Sequence, residues 1–169
     1  MASEIDNLDP NQAYIMGLIH DIGRVYGITQ ERHSIDGYYF LKEKSYDELA
    51  KICITHCFPN KNVDAAVCKW DCTDTELIFV KELLADIEYD DYDRLIQLFD
   101  CLIQHDKYVL MEKRLFNVAL RYHLKNQSDI KLCILERWEK YLKLRDYFNQ
   151  KIGRSIYTLL PDVIKNTFD

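Results

Sequence analysis

Long apolar runs are missing from this chain of 169 residues. No stretch approaches the roughly 18 consecutive apolar residues that a membrane span needs, so no membrane partner is expected. Chain-breaking residues are scarce: there are five Gly and three Pro, and strand-like alternation is absent, which argues against a β-rich fold. Basic charge is not in excess either. With 22 Lys and Arg against 28 Asp and Glu, the net charge is −6, which argues against non-specific nucleic-acid binding through phosphate neutralisation. The opening Met1-Ala-Ser-Glu-Ile-Asp6 lacks the basic and apolar regions of a signal peptide. A cytoplasmic protein is the expectation.

Helix is what remains. The length suits one domain over residues 1–169, with 126–169 forming a C-terminal helical extension packed on the rest. Asp9-Pro10 predicts a helix start, with Asp9 as N-cap and the helix running to about Asp21 before Gly23. Further helices are expected over 34–44, from 46 or 47 to 57, over 73–87 behind the capping box Thr73-Asp-Thr-Glu76, from the acidic stretch at 88–93 to about 104, and over 111–123 and 129–151. Leu132, Leu135, Trp138, Leu142 and Phe148 partly mark the apolar face of the last of these. Residues 58–72 read as a loop, and a short helix at 155–167 is interrupted by Pro161. The cysteines Cys53-x3-Cys57 and Cys68-x3-Cys72 allow a structural zinc site, but buried free thiols fit the spacing better.

Chemistry concentrates in Tyr14-Ile-Met-Gly-Leu-Ile-His-Asp-Ile-Gly23. Imidazole and carboxylate are both ligands for first-row metals, so His20-Asp21 is a candidate ligand pair. The doublet is followed in order by His33, by His56 at the end of an apolar helix, and by Asp100 inside Leu95-Ile-Gln-Leu-Phe-Asp-Cys-Leu-Ile103. A carboxylate in such a run needs a partner, and a metal ion is one. Asp93, seven residues before Asp100, shares its helix face but is read mainly as a partner of the helix dipole, with Asp90 and Asp91 as surface acids. Arg94 and Arg114 are expected to pair with these acids. Arg24, Arg32 and Lys42 are candidates for phosphate contact or for solvated surface positions.

This ordered set resembles the HD superfamily of metal-dependent phosphohydrolases, particularly its small stand-alone members. Leu18-Ile-His-Asp-Ile-Gly-Arg24 is similar to the doublet motif, Arg32-His33-Ser-Ile-Asp-Gly37 and Ile54-Thr-His56 to the following His segments, and Leu98-Phe-Asp100 to the final Asp segment. The resemblance spans roughly residues 8–125. It implies an all-α, HD-domain-like helical bundle with one or two divalent ions (Mn, Fe, Zn, Ni or Mg). Asp21 would bridge them, with His20 and Asp100 on one ion and His33 and His56 on the other. It also implies hydrolysis of a small phosphorylated substrate, possibly a nucleotide, by metal-activated water, with Asp21 and Arg24 in the catalytic machinery. The family pattern begins with one more His, on an earlier helix, and none of the nineteen residues before His20 is a histidine. That predicts a start variant of a longer protein, or another group such as His105 or His123 in the position. A third expectation is a catalytically impaired module that binds a nucleotide or protein partner. A missing helix would also expose apolar surface that a homodimer could cover.

Overall fold

A computed structural model describes residues 1–66, 70–121 and 132–168. Eight α-helices make up the fold among these residues: α1 (Pro10–Ile19), α2 (Arg32–Glu43), α3 (Asp47–Thr55), α4 (Asp74–Asp86), α5 (Asp91–Asp100), α6 (Met111–Ala119), α7 (Leu132–Ile152) and α8 (Val163–Phe168). The architecture is all-α, as the periodicity predicts. One small departure is an antiparallel hairpin, β1 (Ile103–Gln104) with β2 (Lys107–Tyr108), where helix was expected to continue to residue 104. The chain leaves α5 at Cys101 and turns back through His105, whose φ of 57° ends any helical continuation.

The helix starts follow local chemistry. Asp9 accepts a hydrogen bond from the Asn11 amide at 2.8 Å, with Pro10 in the first helical position. Thr73 and Glu76 form the expected capping box of α4. A second capping box joins Asp90 and Asp93 at α5. Asp90 and Asp91 are not simple surface acids. Asp90 caps α5 and pairs with Lys51 at 2.8 Å, and Asp91 ties α5 to α7 through Lys151 and Tyr147, both at 2.6 Å. Asp93 is fully buried, where it accepts from Thr55 Oγ1 at 2.7 Å and Lys51 Nζ at 3.0 Å.

α3 packs against α2 on one side and α1 and α5 on the other. Ile35, Ile54, Phe58, Val80 and Leu84 form one core, and Met16, Ile52 and Ile96 link α1, α3 and α5. A larger core joins α5 to the C-terminal helices through Leu95, Leu98, Tyr141, Leu144 and Phe148. The buried stripe of α7 runs through Ile134, Arg137, Tyr141, Leu144 and Phe148, whereas Leu135 is exposed. The stripe is set by three- and four-residue steps from Ile134, which puts an arginine where an apolar residue is usual. Among the described residues no helix is long and apolar enough to cross a membrane.

Candidate metal centre

The His20-Asp21 doublet stands where α1 ends. The helix stops at Ile19, two residues short of the predicted end. A 3-10 turn over Ile22–Tyr26 then carries Asp21 back towards the bundle. Gly23 permits this. A Cβ at that position would lie 2.0 Å from the His33 carbonyl oxygen and 2.6 Å from the Gly37 amide nitrogen. Only a residue without a side chain lets the turn and α2 meet so closely, and this contact brings His33 beside Asp21. Gly37 is also close against α3, though less so, because its Cβ would lie 3.0 Å from Cys53 Sγ. α3 then delivers His56 as its C-cap residue.

Three imidazoles converge on the Asp21 carboxylate. His33 Nε2 lies 3.1 Å and His56 Nε2 3.6 Å from Oδ1, and His20 Nε2 lies 3.9 Å from Oδ2. Each ring is fixed from behind. His20 Nδ1 donates to the Gly17 carbonyl at 2.7 Å, His56 Nδ1 to that of Ile52 at 3.0 Å, and His33 Nδ1 to that of Gln30. A carbonyl can only accept, so the proton of each neutral ring sits on Nδ1 and the Nε2 lone pairs face inward. Lone pairs of His33 and His56, 3.4 Å apart, therefore point at each other and at a carboxylate. Such a group of acceptors is mutually repulsive until a cation joins it.

Burial alone would raise the Asp21 pKa. Hydrogen bonds from Arg24, and from the rings of His33 and His56 when these carry a proton on Nε2, outweigh it and hold the carboxyl far below the usual carboxylate range. Burial lowers the His33 pKa, but Asp21 more than offsets this, so the net shift is upward; at the more deeply buried His56 burial wins and the pKa falls. With both rings neutral and protonated on Nδ1, the buried Asp21 Oδ1 accepts no hydrogen bond among the described residues. An ionised oxygen without a hydrogen-bond donor, facing Nε2 lone pairs at hydrogen-bond separations, fits a divalent ion.

The other expected residues lie around this cluster. Arg24 donates to Asp21 Oδ2 at 2.8 Å and reaches His33 Nε2 at 3.4 Å. Asp100, the last residue of α5, lines both cavities that flank the cluster. It stands outside the two ligand groupings, His33–His56–Cys57 and His20–Asp21–His56, whose donor atoms lie within 4.8 Å of one another. His105 lines the larger cavity, about 650 Å³, together with His20, Asp21 and Asp100, but sits at an exposed turn. His123 falls outside the described residues. Arg32 pairs with Asp36 and Glu76, and Lys42 with Asp47, so both are engaged elsewhere. Arg94 pairs with Asp91 at 3.2 Å, as expected, whereas Arg114 lines both cavities.

Three residues of the site were not foreseen. Cys57 places Sγ 3.2 Å from His56 Nε2. Glu31 and Arg137 line the smaller cavity, about 120 Å³, with Asp21, Arg24 and Arg114. The position of Arg137 within the apolar stripe of α7 was its available signal. Of the cysteine pairs, Cys53 donates to the Ile19 carbonyl at 3.6 Å while Cys57 faces the histidines; the pair of Cys68 with Cys72 lies outside the described residues, because Cys68 does.

Searches of curated proteins and of solved structures give no match to this chain. A family model does match: the HD domain, over residues 1–104, well over half of the sequence and all five of the expected ligands. The chain belongs to the HD domain family.

Proposed function

We propose that this protein is a cytoplasmic metal-dependent phosphohydrolase acting on a small phosphate ester, with a nucleotide as the favoured class. The observation that carries the reading is the convergence of three inward-facing Nε2 atoms on the half-buried carboxylate of Asp21 beside an arginine-lined cavity. His20, Asp21, His33 and His56 would hold the metal, with Asp100 completing the set from α5. Bound divalent ions would supply an activated water and positive charge for the phosphoryl oxygens.

The chain's own residues do the rest. Asp21 has its carboxyl pKa lowered and presents one oxygen towards His33 and His56 and the other towards His20. Arg24 steadies that second oxygen and projects into the smaller cavity. Arg114 and Arg137 bring two further guanidinium groups, whose planar donor sets suit phosphate oxygens. Arg137 is buried, and its hydrogen bonds go to Tyr141 Oη and the Ala65 carbonyl, both neutral. The buried Glu31 carboxylate on the same cavity already offsets part of its charge. Tyr14, Leu18, Val25 and Tyr26 are more than half exposed, which supports a homodimer through the α1 face.

Metal analysis and nucleotide turnover by the purified full chain test the proposal together. Stoichiometric metal is expected, with activity falling at least about 10²–10³-fold in His20→Ala and Asp21→Ala. Metal-free protein under near-physiological metal concentrations, without turnover, would overturn it. Thermal stabilisation by a nucleotide in such a sample would instead favour the non-catalytic binding module.

A further inference from the structure

Cys57 is not one of the residues that the HD pattern predicts as ligands, yet it sits among them. α3 ends at Thr55, and the backbone tightens beyond it: the Cys57 amide donates to the Ile54 carbonyl at 3.1 Å and the Phe58 amide to the Thr55 carbonyl at 3.2 Å. The side chains of the consecutive residues His56 and Cys57 come together as a result. Sγ is 3.2 Å from His56 Nε2 and 3.6 Å from His33 Nε2, and the two Nε2 atoms are 3.4 Å apart. Asp21 Oδ1 adds separations of 3.1 Å to His33 and 3.6 Å to His56.

The three distances among Cys57, His33 and His56 close one triangular face around a single ion. Around a zinc ion with bonds of about 2.0–2.1 Å to nitrogen and about 2.3 Å to sulfur, nitrogen–nitrogen edges are about 3.3 Å and nitrogen–sulfur edges about 3.6 Å. All three edges of the face fall within ~0.4 Å of those values. We propose that Cys57 is a thiolate ligand of an ion held together with His33 and His56. The ion held there then belongs to the thiolate-binding class, zinc foremost, rather than to magnesium or manganese.

The charges support this. A dication with one thiolate and two neutral imidazoles keeps one positive charge, which the Asp21 carboxylate beside His33 and His56 offsets, and this suits a pocket where His33, His56 and Cys57 are all buried. Binding requires the thiol to lose its proton: the S–H bond breaks, the metal–sulfur bond forms, and the proton leaves to solvent. Burial holds the thiol pKa of Cys57 well above its ordinary value, and a dication at bonding distance reverses that preference. Three protein donors leave a position of such an ion open, and on the other side of Asp21 its Oδ2 and His20 face the larger cavity together with Asp100.

The inference rests on the proposed metal-binding function, and cobalt separates the two. Metal-free full-length protein titrated with Co²⁺ is expected to develop a near-ultraviolet sulfur-to-cobalt charge-transfer band. The band should vanish in Cys57→Ser, with Co²⁺ affinity falling about tenfold or more, and persist in Cys53→Ser. X-ray absorption of the zinc-loaded wild type should show one sulfur at about 2.3 Å, a readout that stands even where a variant fails to fold. Cobalt binding without the band, or a band that survives Cys57→Ser, overturns the ligand role of Cys57 and leaves the phosphohydrolase reading standing. No cobalt or zinc binding at all overturns both.

Discussion

Around Gly23 the bundle is held by backbone in contact with backbone, with no room for a methyl group between the turn after α1 and the start of α2. Between α5 and α7 the opposite holds. There Leu95, Leu98, Tyr141, Leu144 and Phe148 interlock, and Asp91 is clamped by Lys151 and Tyr147 at the rim. The first junction fixes positions, because the His33 imidazole must stand beside Asp21 to within a few tenths of an ångström. The second supplies stability through buried area and tolerates small adjustments. A metal centre needs the first kind of support, and the fold that carries it needs the second.

The contrast can be broken at either end. The largest effect is expected at the rigid junction. Gly23→Ala forces a methyl into the His33 carbonyl, so it should destabilise by at least about 4 kcal/mol or abolish folding, with metal binding lost, as checked by calorimetry and metal analysis. A Gly23→Ala protein with normal metal content would show that the close approach is not needed. Next comes Phe148→Ala in the side-chain junction. Its ring is fully buried, so a loss of about 3–5 kcal/mol is expected in denaturant unfolding, while the variant still binds metal under native conditions.

A smaller, pH-dependent effect belongs to Asp91. Burial raises its pKa, but hydrogen bonds from Lys151, Tyr147 and Arg94 outweigh this and hold the carboxyl below its ordinary value. A carboxylate whose folded pKa is depressed contributes stability above its unfolded pKa, and this contribution is lost as pH falls through the folded value. The clamp between α5 and α7 is therefore expected to be complete at neutral pH and to weaken below about pH 4. Asp91→Asn should cost about 0.5–1 kcal/mol at pH 7 and flatten the acid limb of the stability curve, measured by thermal unfolding from about pH 7 to about pH 3. An unchanged acid limb would remove Asp91 from the account of this junction. The smallest effect, of opposite sign, belongs to Gly17. It lies in α1, where an added Cβ would meet only Ile96 Cδ1 at an ordinary 3.8 Å. Gly17→Ala should stabilise by about 0.4–1 kcal/mol with metal content unchanged. A loss of stability there would mean that the rigid junction extends further along α1 than the contacts around Gly23 indicate.

Much of the bundle was legible in the sequence because its signals are local. Asp9-Pro10 and Thr73-Asp-Thr-Glu76 mark helix starts through hydrogen bonds made within three residues. The spacing of His20, Asp21, His33 and His56 was legible through its likeness to a known pattern, and the fold brings these four together. Other features depend on partners distant in sequence. Nothing near Gly23 announces that His33 and Gly37 will press against it. Cys57 reads as an ordinary i,i+4 partner of Cys53 until the chain tightens after Thr55 and turns its sulfur towards the histidines. The ends of α1 and α5 were misplaced for the same reason: their apolar patterns continue, but the chain turns against α2 after Ile19 and into the 103–108 hairpin after Cys101.

Arg137 has a consequence for how this enzyme class can diversify. The ligand cage is built from residues 20–100, whereas this guanidinium comes from α7, beyond the 104 residues that match the family. In the proposed reading, one of the three guanidinium groups at the smaller cavity thus comes from a stretch of chain separate from the donors of the cage. Changes at Arg137 can reshape that cavity while every proposed donor stays in place.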